Sequence, residues 1–349
     1  MLRSVLFSLL GALLLTASQH SSQTTFKREG GDWVSTEQGS LSVDPAGQVR
    51  IKAAGNIRVR GGSGSQISYK VTRSVHAMEE REAQAMIGHF PVTTARQGPT
   101  ALLQVAYGPF ATSLDITVPK GLETASIETL GGDIDVSDLN GGLVAEASGG
   151  RINVGRIGGN IDIRAAGGTI VLGVIGGNAR CLSGGGSIHA TEIHGDSLLE
   201  TGGGDIRLRK AGGAVRASTA GGRIDILEAK GTVRAHTFGG PIEIGAARGV
   251  YCESASGSIV AQFIPGISVL DSFLSTGSGD ITVWIPSNLR VSIRAQNEGS
   301  GNIGTVFSDF PGMRVMPAGA AVMADLLING GGPMVQLAGN GGRIYIRKR

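Results

Sequence analysis

The sequence predicts an all-β protein: a parallel β-solenoid with about 18 residues and two strands per coil, opened by an N-terminal β-rich cap with one short helix. Three observations carry this. A glycine closes each nine-residue unit at 150, 159, 168, 177, 186, 195, 204, 213, 222, 231, 240 and 249, and the next falls at 257, one residue early. Counting from each closing glycine, positions +2 and +4 are mostly apolar (Ile152/Val154, Ile206/Leu208, Ile224/Ile226), while +1 and +3 are mostly polar (Arg151/Asn153, Asp205/Arg207, Arg223/Asp225). Alternate side chains of a strand point to opposite faces, so each unit reads as a short strand with one buried face. Finally, units alternate between a large inward set and a smaller one (Ala179/Cys181, Val215/Ala217, Val233/Ala235), which gives two strands per coil. The glycines are expected to supply positive φ at the turns.

Composition agrees. The chain has 349 residues with 58 Gly, 11 Pro and 41% hydrophobic residues. Glycine is not at every third position, which excludes a collagen-like chain. The hydrophobic fraction is too high for disorder. A net charge of +3 without a clustered basic patch argues against a nucleic-acid partner.

In chain order, residues 1–23 read as an export signal. Arg3 starts it, Ser4 to Ala17 form its apolar core, and Thr16-Ala17-Ser18 offers small residues for cleavage. The apolar run is shorter than the roughly 20 residues of a membrane-spanning helix, so no transmembrane segment is expected in the mature chain. No Cys follows it to accept a lipid. Residues 24–121 form the β-rich cap region, with alternating stretches such as Val49-Arg-Ile-Lys-Ala and Gln66-Ile-Ser-Tyr-Lys-Val. His76 to His89 interrupts them as a helix, with Met78, Ala83, Met86 and Ile87 on one face, ended by Gly88 and Pro91. Residues 122–257 are the regular repeat. Six coils stacked at about 4.8 Å make it roughly 29 Å long. Residues 258–349 continue it irregularly, with Phe307 to Ala324 read as an inserted loop and Arg347-Lys-Arg as a basic tail.

Several stretches, taken in order, resemble one bacterial family. They are Leu114-Asp-Ile-Thr-Val-Pro-Lys-Gly, Ile127-Glu-Thr-Leu-Gly-Gly-Asp-Ile-Asp-Val, the Gly-Asp/Arg-Ile repeats, Gly279-Asp-Ile-Thr-Val-Trp-Ile-Pro, and the closing Ile328-Asn-Gly-Gly-Gly-Pro with Gly341-Gly-Arg-Ile-Tyr-Ile. Together they resemble the putative-adhesin β-repeat family, also called domain of unknown function 4097, over roughly residues 40–349. The resemblance implies a β-solenoid on an exported or membrane-associated bacterial protein and carries over no catalytic residue. The family's usual companions, a membrane helix or a zinc-ribbon start, are missing, which favours a free-standing exported protein in the periplasm, on the cell surface or secreted.

No enzymatic motif emerges. Nine-residue glycine repeats suggest the calcium-binding β-roll, but its Asp position is apolar here (Ile152/Val154, Ile224/Ile226). No His or Cys spacing fits a metal site, and neither metal nor cofactor is expected. There is no Gly-x-Ser-x-Gly elbow. Gly299 to Gly304 matches Gly-x-Gly-x-x-Gly by letter only, with no following helix. Cys181 and Cys252 fall four coils apart, about 19 Å, beyond the reach of a disulfide, and are expected as buried free thiols. Two outward surfaces remain as candidates. Asp205, Asp225 and Glu243 could supply carboxylate pairs for a polysaccharide-active enzyme, against the plainer reading of a solvated mixed-charge ladder. Arg180, Arg216 and Arg234 share one +3 column and suit an acidic polysaccharide or cell-envelope component. The first reading is an exported, non-enzymatic, adhesin-like binding or structural protein. The alternatives are the polysaccharide-active enzyme and a self-associating structural element.

Overall fold

The computed structural model describes residues 23–44, 46–266, 269–299 and 303–349. The expected export signal lies outside them except for Gln23, and the Gly299 to Gly304 letter match includes undescribed residues. The described chain folds as a β-solenoid with two long, mostly parallel 16-stranded sheets packed face to face. A single hydrophobic core runs between them from Leu41 to Ile346. Among the described residues no helix is long and apolar enough to cross a membrane.

Successive units alternate between the sheets, as the period of 18 requires. In one sheet Ile134, Ile152, Ile170, Ile188, Ile206, Ile224 and Ile242 pair in register, each 18 residues after the last. We call this the isoleucine sheet. The facing sheet stacks Ile161, Ala179, Ser197, Val215 and Val233 at the equivalent place. The early glycine at 257 marks a shortened coil. Ile242 pairs with Ile259, and the register shifts between Ile244 and Ala247. A third inward row, Ile157, Ile175, Ile193, Ala211, Ala229 and Ala247, closes the corner after each isoleucine strand.

Close packing, not handedness, explains the glycines. Of those from 149 to 257, Gly150 alone has positive φ, at 85°. The second glycine of each pair instead sits on the backbone of the coil before it. A Cβ on Gly222 would run into the carbonyl of Gly204, and one on Gly240 into that of Gly222. The expectation of positive-φ turns is thereby corrected.

A buried hydroxyl row stitches these turns together. Thr219 Oγ1 donates to the Gly204 carbonyl at 2.9 Å and accepts from Gly222 N–H at 3.2 Å. Ser183, Thr201, Thr237, Ser254 and Thr276 repeat the arrangement. Backbone groups beneath a turn must find partners when water is excluded, and the hydroxyl serves one carbonyl and one N–H at once. Thr219→Val keeps the shape and leaves both without a partner. It should lower stability by about 2 kcal/mol, read as a lower urea midpoint. Ser218→Ala, on the outward face, should stay within about 0.5 kcal/mol.

Both ends insert a coil out of chain order. The strands Gln48–Ala53 and Asn56–Gly62 stack between Thr100–Val105/Ala111–Pro119 and Thr124–Thr129/Ile134–Ser137. The strands Met334–Asn340 and Ile344–Lys348 enter between Ser272–Thr276/Ile281–Ile285 and Val291–Glu298/Val306–Ser308. Residues 307–324 are not a loop. They end one strand, then form a hairpin of Arg314–Ala318 and Ala321–Ile328 on Val291–Glu298. Val322, Ala324, Leu326 and Ile328 alternate inward and bury the hairpin's second strand against the core, while Arg314–Ala318 stays mostly exposed. At the other end, the helix Glu80–Gly88 buries Ala83 and Ile87 in a satellite core with Val75 and Ala77.

Candidate functional surface

The outward face of the second sheet carries the predicted arginines. Its strands Ile161–Ala165, Ala179–Ser183, Ser197–Thr201, Val215–Thr219 and Thr232–Thr237 stack in parallel register. That register sets Asp162, Arg180, Leu198, Arg216, Arg234 and Tyr251 in one row across it. Inward residues at the flanking positions fix the row's direction, because a strand alternates faces. Arg216 and Arg234 stand one rung apart, about 4.8 Å, and Arg180 and Arg216 two rungs, about 9.6 Å. All three are exposed. Arg234 lies over the Tyr251 ring, 4.7 Å from its centroid, a cation–π contact that orients the guanidinium.

These arginines line a groove of about 540 Å³ that runs along the solenoid axis. Among the described residues no carboxylate approaches any of them within 4.0 Å. Asp162, one rung below Arg180, instead pairs with Arg164 at 3.3 Å.

A second row, at the starts of the strands, forms one wall. Asn160 Oδ1 accepts from Asn178 N–H, Asn178 Oδ1 from Asp196 N–H, and Asp196 Oδ1 from Ala214 N–H, each at 2.8 Å. The side chain of one coil thus ties down the backbone of the next, and the wall is held rigid. In the sequence these +1 positions read only as mostly polar. Their recurrence every 18 residues was the available signal.

The candidate acids are arranged differently. Asp225 and Glu243 are neighbours in one outward row of the isoleucine sheet, continuing from Arg207. Asp205 stands just before its strand, in another row. Its Oδ1 accepts from Arg223 N–H at 3.0 Å and its Oδ2 from Arg207 Nη2 at 3.1 Å. Glu243 meets Arg223 at 3.4 Å. Asp205 does not join the adjacent Asp225 and Glu243, and Asp205 and Glu243 are each engaged by arginine. Among the described residues no group of three or more His, Cys, Asp or Glu is placed to hold a metal ion.

Both thiols are free and buried. The register Cys181–Leu199–Ala217–Ala235–Cys252 sets them four rungs apart on the inward face. Burial pushes the Cys252 thiol up to about 12 and raises that of Cys181 as well, with Asp162 adding to the second shift. Neither has the lowered pKa of a nucleophilic cysteine.

No protein-family model matches this sequence, and no curated protein matches it either. Solved structures similar to this chain include a putative adhesin from Parabacteroides distasonis ATCC 8503, at 10% identity over 89% of this chain and 96% of that one, with a TM-score of 0.36. A putative adhesin from Bacteroides fragilis NCTC 9343 aligns at 13% identity over 90% of this chain and 97% of its own, with a TM-score of 0.27. A putative lipid binding protein from Parabacteroides distasonis ATCC 8503 aligns at 13% identity over 89% and 96%, with a TM-score of 0.29.

Proposed function

We propose that this protein is an exported, non-enzymatic, adhesin-like solenoid of the putative-adhesin β-repeat (domain of unknown function 4097) kind, which holds an anionic surface or envelope partner along its arginine groove. One observation carries the reading. Arg180, Arg216 and Arg234 share one row of a face where Asp162 has found Arg164, and among the described residues none of the three has an acid within 4.0 Å. Other outward charges do pair, as Arg58 does between Asp115 and Asp135. Three like charges in line raise the local potential and attract an anionic chain. A stack of hydrogen-bonded coils holds them at fixed spacing, so little ordering remains to oppose binding.

The engaged state of Asp205 and Glu243 weighs against the enzyme reading. Glycoside cleavage needs one carboxyl free to donate a proton and a second beside it.

The test is binding of the full chain to immobilised polygalacturonate at low and high salt. Wild type should bind at low salt and weaken as salt rises. Replacing Arg180, Arg216 and Arg234 together with Gln should weaken it by more than about tenfold, while Arg207→Gln, in the paired row, should change little. Equal binding by the triple variant, or no binding by wild type to any polyanion, would remove the groove from consideration.

A further inference from the structure

We infer that the groove is built for a glycan carrying both carboxylates and free hydroxyls, a uronate-containing chain lying along the solenoid axis, and not for a uniformly charged polyanion. This rests on the anionic-groove reading above and sharpens it to a ligand class.

The groove crosses five strands, from Asn160 to Arg234. Four rungs span about 19 Å, the length of a short oligomer and more than one small molecule needs. The rung spacing is also close to the advance per sugar of an extended pyranose chain, so successive sugars can lie against successive coils.

Two rows offer different chemistry. Arg180, Arg216 and Arg234 supply forked donors suited to carboxylates. Opposite them, the wall residues have used only one atom each. Asn160 and Asn178 commit Oδ1 to the next coil and keep Nδ2, with no protein acceptor among the described residues. Asp196 commits Oδ1 and keeps Oδ2. These are two donors and one charged acceptor in line, a set that hydroxyl groups satisfy.

The decisive rung is that of Asp196. There the arginine row is interrupted by half-buried Leu198, and the wall carries a negative charge. A polymer that turns an anion toward the groove at every step, as polyphosphate does, would place one of them beside Asp196, where like charges repel. A uronate chain near two-fold symmetry, whose successive carboxylates turn to opposite edges, would place a hydroxyl at Asp196 and the C–H face of its ring over Leu198 and Ala214, with carboxylates on the rungs either side. The groove is therefore cationic on the Arg180 rung and on the Arg216 and Arg234 rungs, and acidic and aliphatic between them.

The experiment is calorimetric titration of the full chain with oligogalacturonate, with inorganic polyphosphate of matched charge, and with vesicles containing phosphatidylglycerol. Asp196→Asn is the informative variant. It keeps the Oδ1 acceptor for Ala214 N–H, as Asn178 does one rung below, so the coil stays tied. Wild type should prefer oligogalacturonate over polyphosphate by roughly tenfold. Asp196→Asn should bind polyphosphate more tightly and erase most of that preference. Polyphosphate binding wild type as tightly as oligogalacturonate, with a ratio unmoved by Asp196→Asn, would overturn the inference while leaving an anionic groove. Arginine-dependent vesicle binding without oligogalacturonate binding would likewise replace the glycan with a lipid surface. Failure of all three ligands would instead count against the groove itself.

Discussion

Gly222→Ala should lower the unfolding free energy by about 3 kcal/mol, whereas Gly221→Ala, one residue earlier, should leave it unchanged or raise it by about 0.5 kcal/mol. The two glycines are adjacent in one turn and differ only in what lies beneath them. A Cβ on Gly221 meets nothing within 4 Å, while one on Gly222 meets the backbone of Gly204 and Asp205. Neither has positive φ, so intrinsic strain is not the difference. The obstacle at Gly222 is backbone, which cannot rotate aside as a side chain does. Relief requires the coils to separate at that corner, and the Thr219 hydroxyl bonds to Gly204 and Gly222 would lengthen with them. Urea denaturation of both variants decides the matter. Equal effects would mean that the turns have slack and that their glycines serve only chain flexibility.

This contrast also marks how far the sequence could be read. The glycine period and the alternation of Ile152/Val154 with Arg151/Asn153 made the coil, its length and its two faces legible, because strand periodicity maps directly onto position. The same counting placed Arg180, Arg216 and Arg234 in one row. It also placed the cysteines four coils apart. What each glycine does was not legible, since doubled glycine looks the same whether it supplies positive φ or room for a neighbour. Buried Thr219 and Thr237 were passed over for a related reason. A hydroxyl at a turn reads as polar surface until the coil above covers it.

The ends were hidden for a different reason. Ile281 pairs with Ile344, 63 residues later, and nothing local in either strand specifies that jump. The hairpin of Arg314–Ala318 and Ala321–Ile328 was obscured in the same way. Its residues alternate, but Pro317 and Gly319 within a non-repeating stretch read as loop. At the candidate surface, Asp205 reads together with Asp225 and Glu243 because all three are acids on successive coils. Their offsets from the closing glycine, +1 against +3, were already in the sequence and separate them into different rows. The wall of Asn160, Asn178 and Asp196 was equally periodic, yet its role depends on bonds to the next coil that composition does not reveal.

The N-terminal end supplies the second large effect. Glu37→Ala should cost about 3–5 kcal/mol, many times the effect of Asp325→Ala in the exposed Arg294–Asp325 pair, which should stay below about 1 kcal/mol. Arg73 is 3% exposed and lies between Val71 of the main core and Val75 of the satellite core. Its Nη2 is 3.5 Å from Glu37 Oε2, and its guanidinium faces the Phe110 ring at 6.0 Å. Among the described residues Arg73 Nε and Nη2 have no hydrogen-bond acceptor, so Glu37 is the counter-charge on which the buried cation depends. Removing it leaves a charge in a low-dielectric setting with nothing to balance it. Replacing both residues, as Glu37→Leu with Arg73→Met, should recover most of the loss, because an apolar pair carries no desolvation cost. A single Glu37→Ala cost no larger than that of Asp325→Ala would show that Arg73 finds another partner and that the two cores are not joined through this pair.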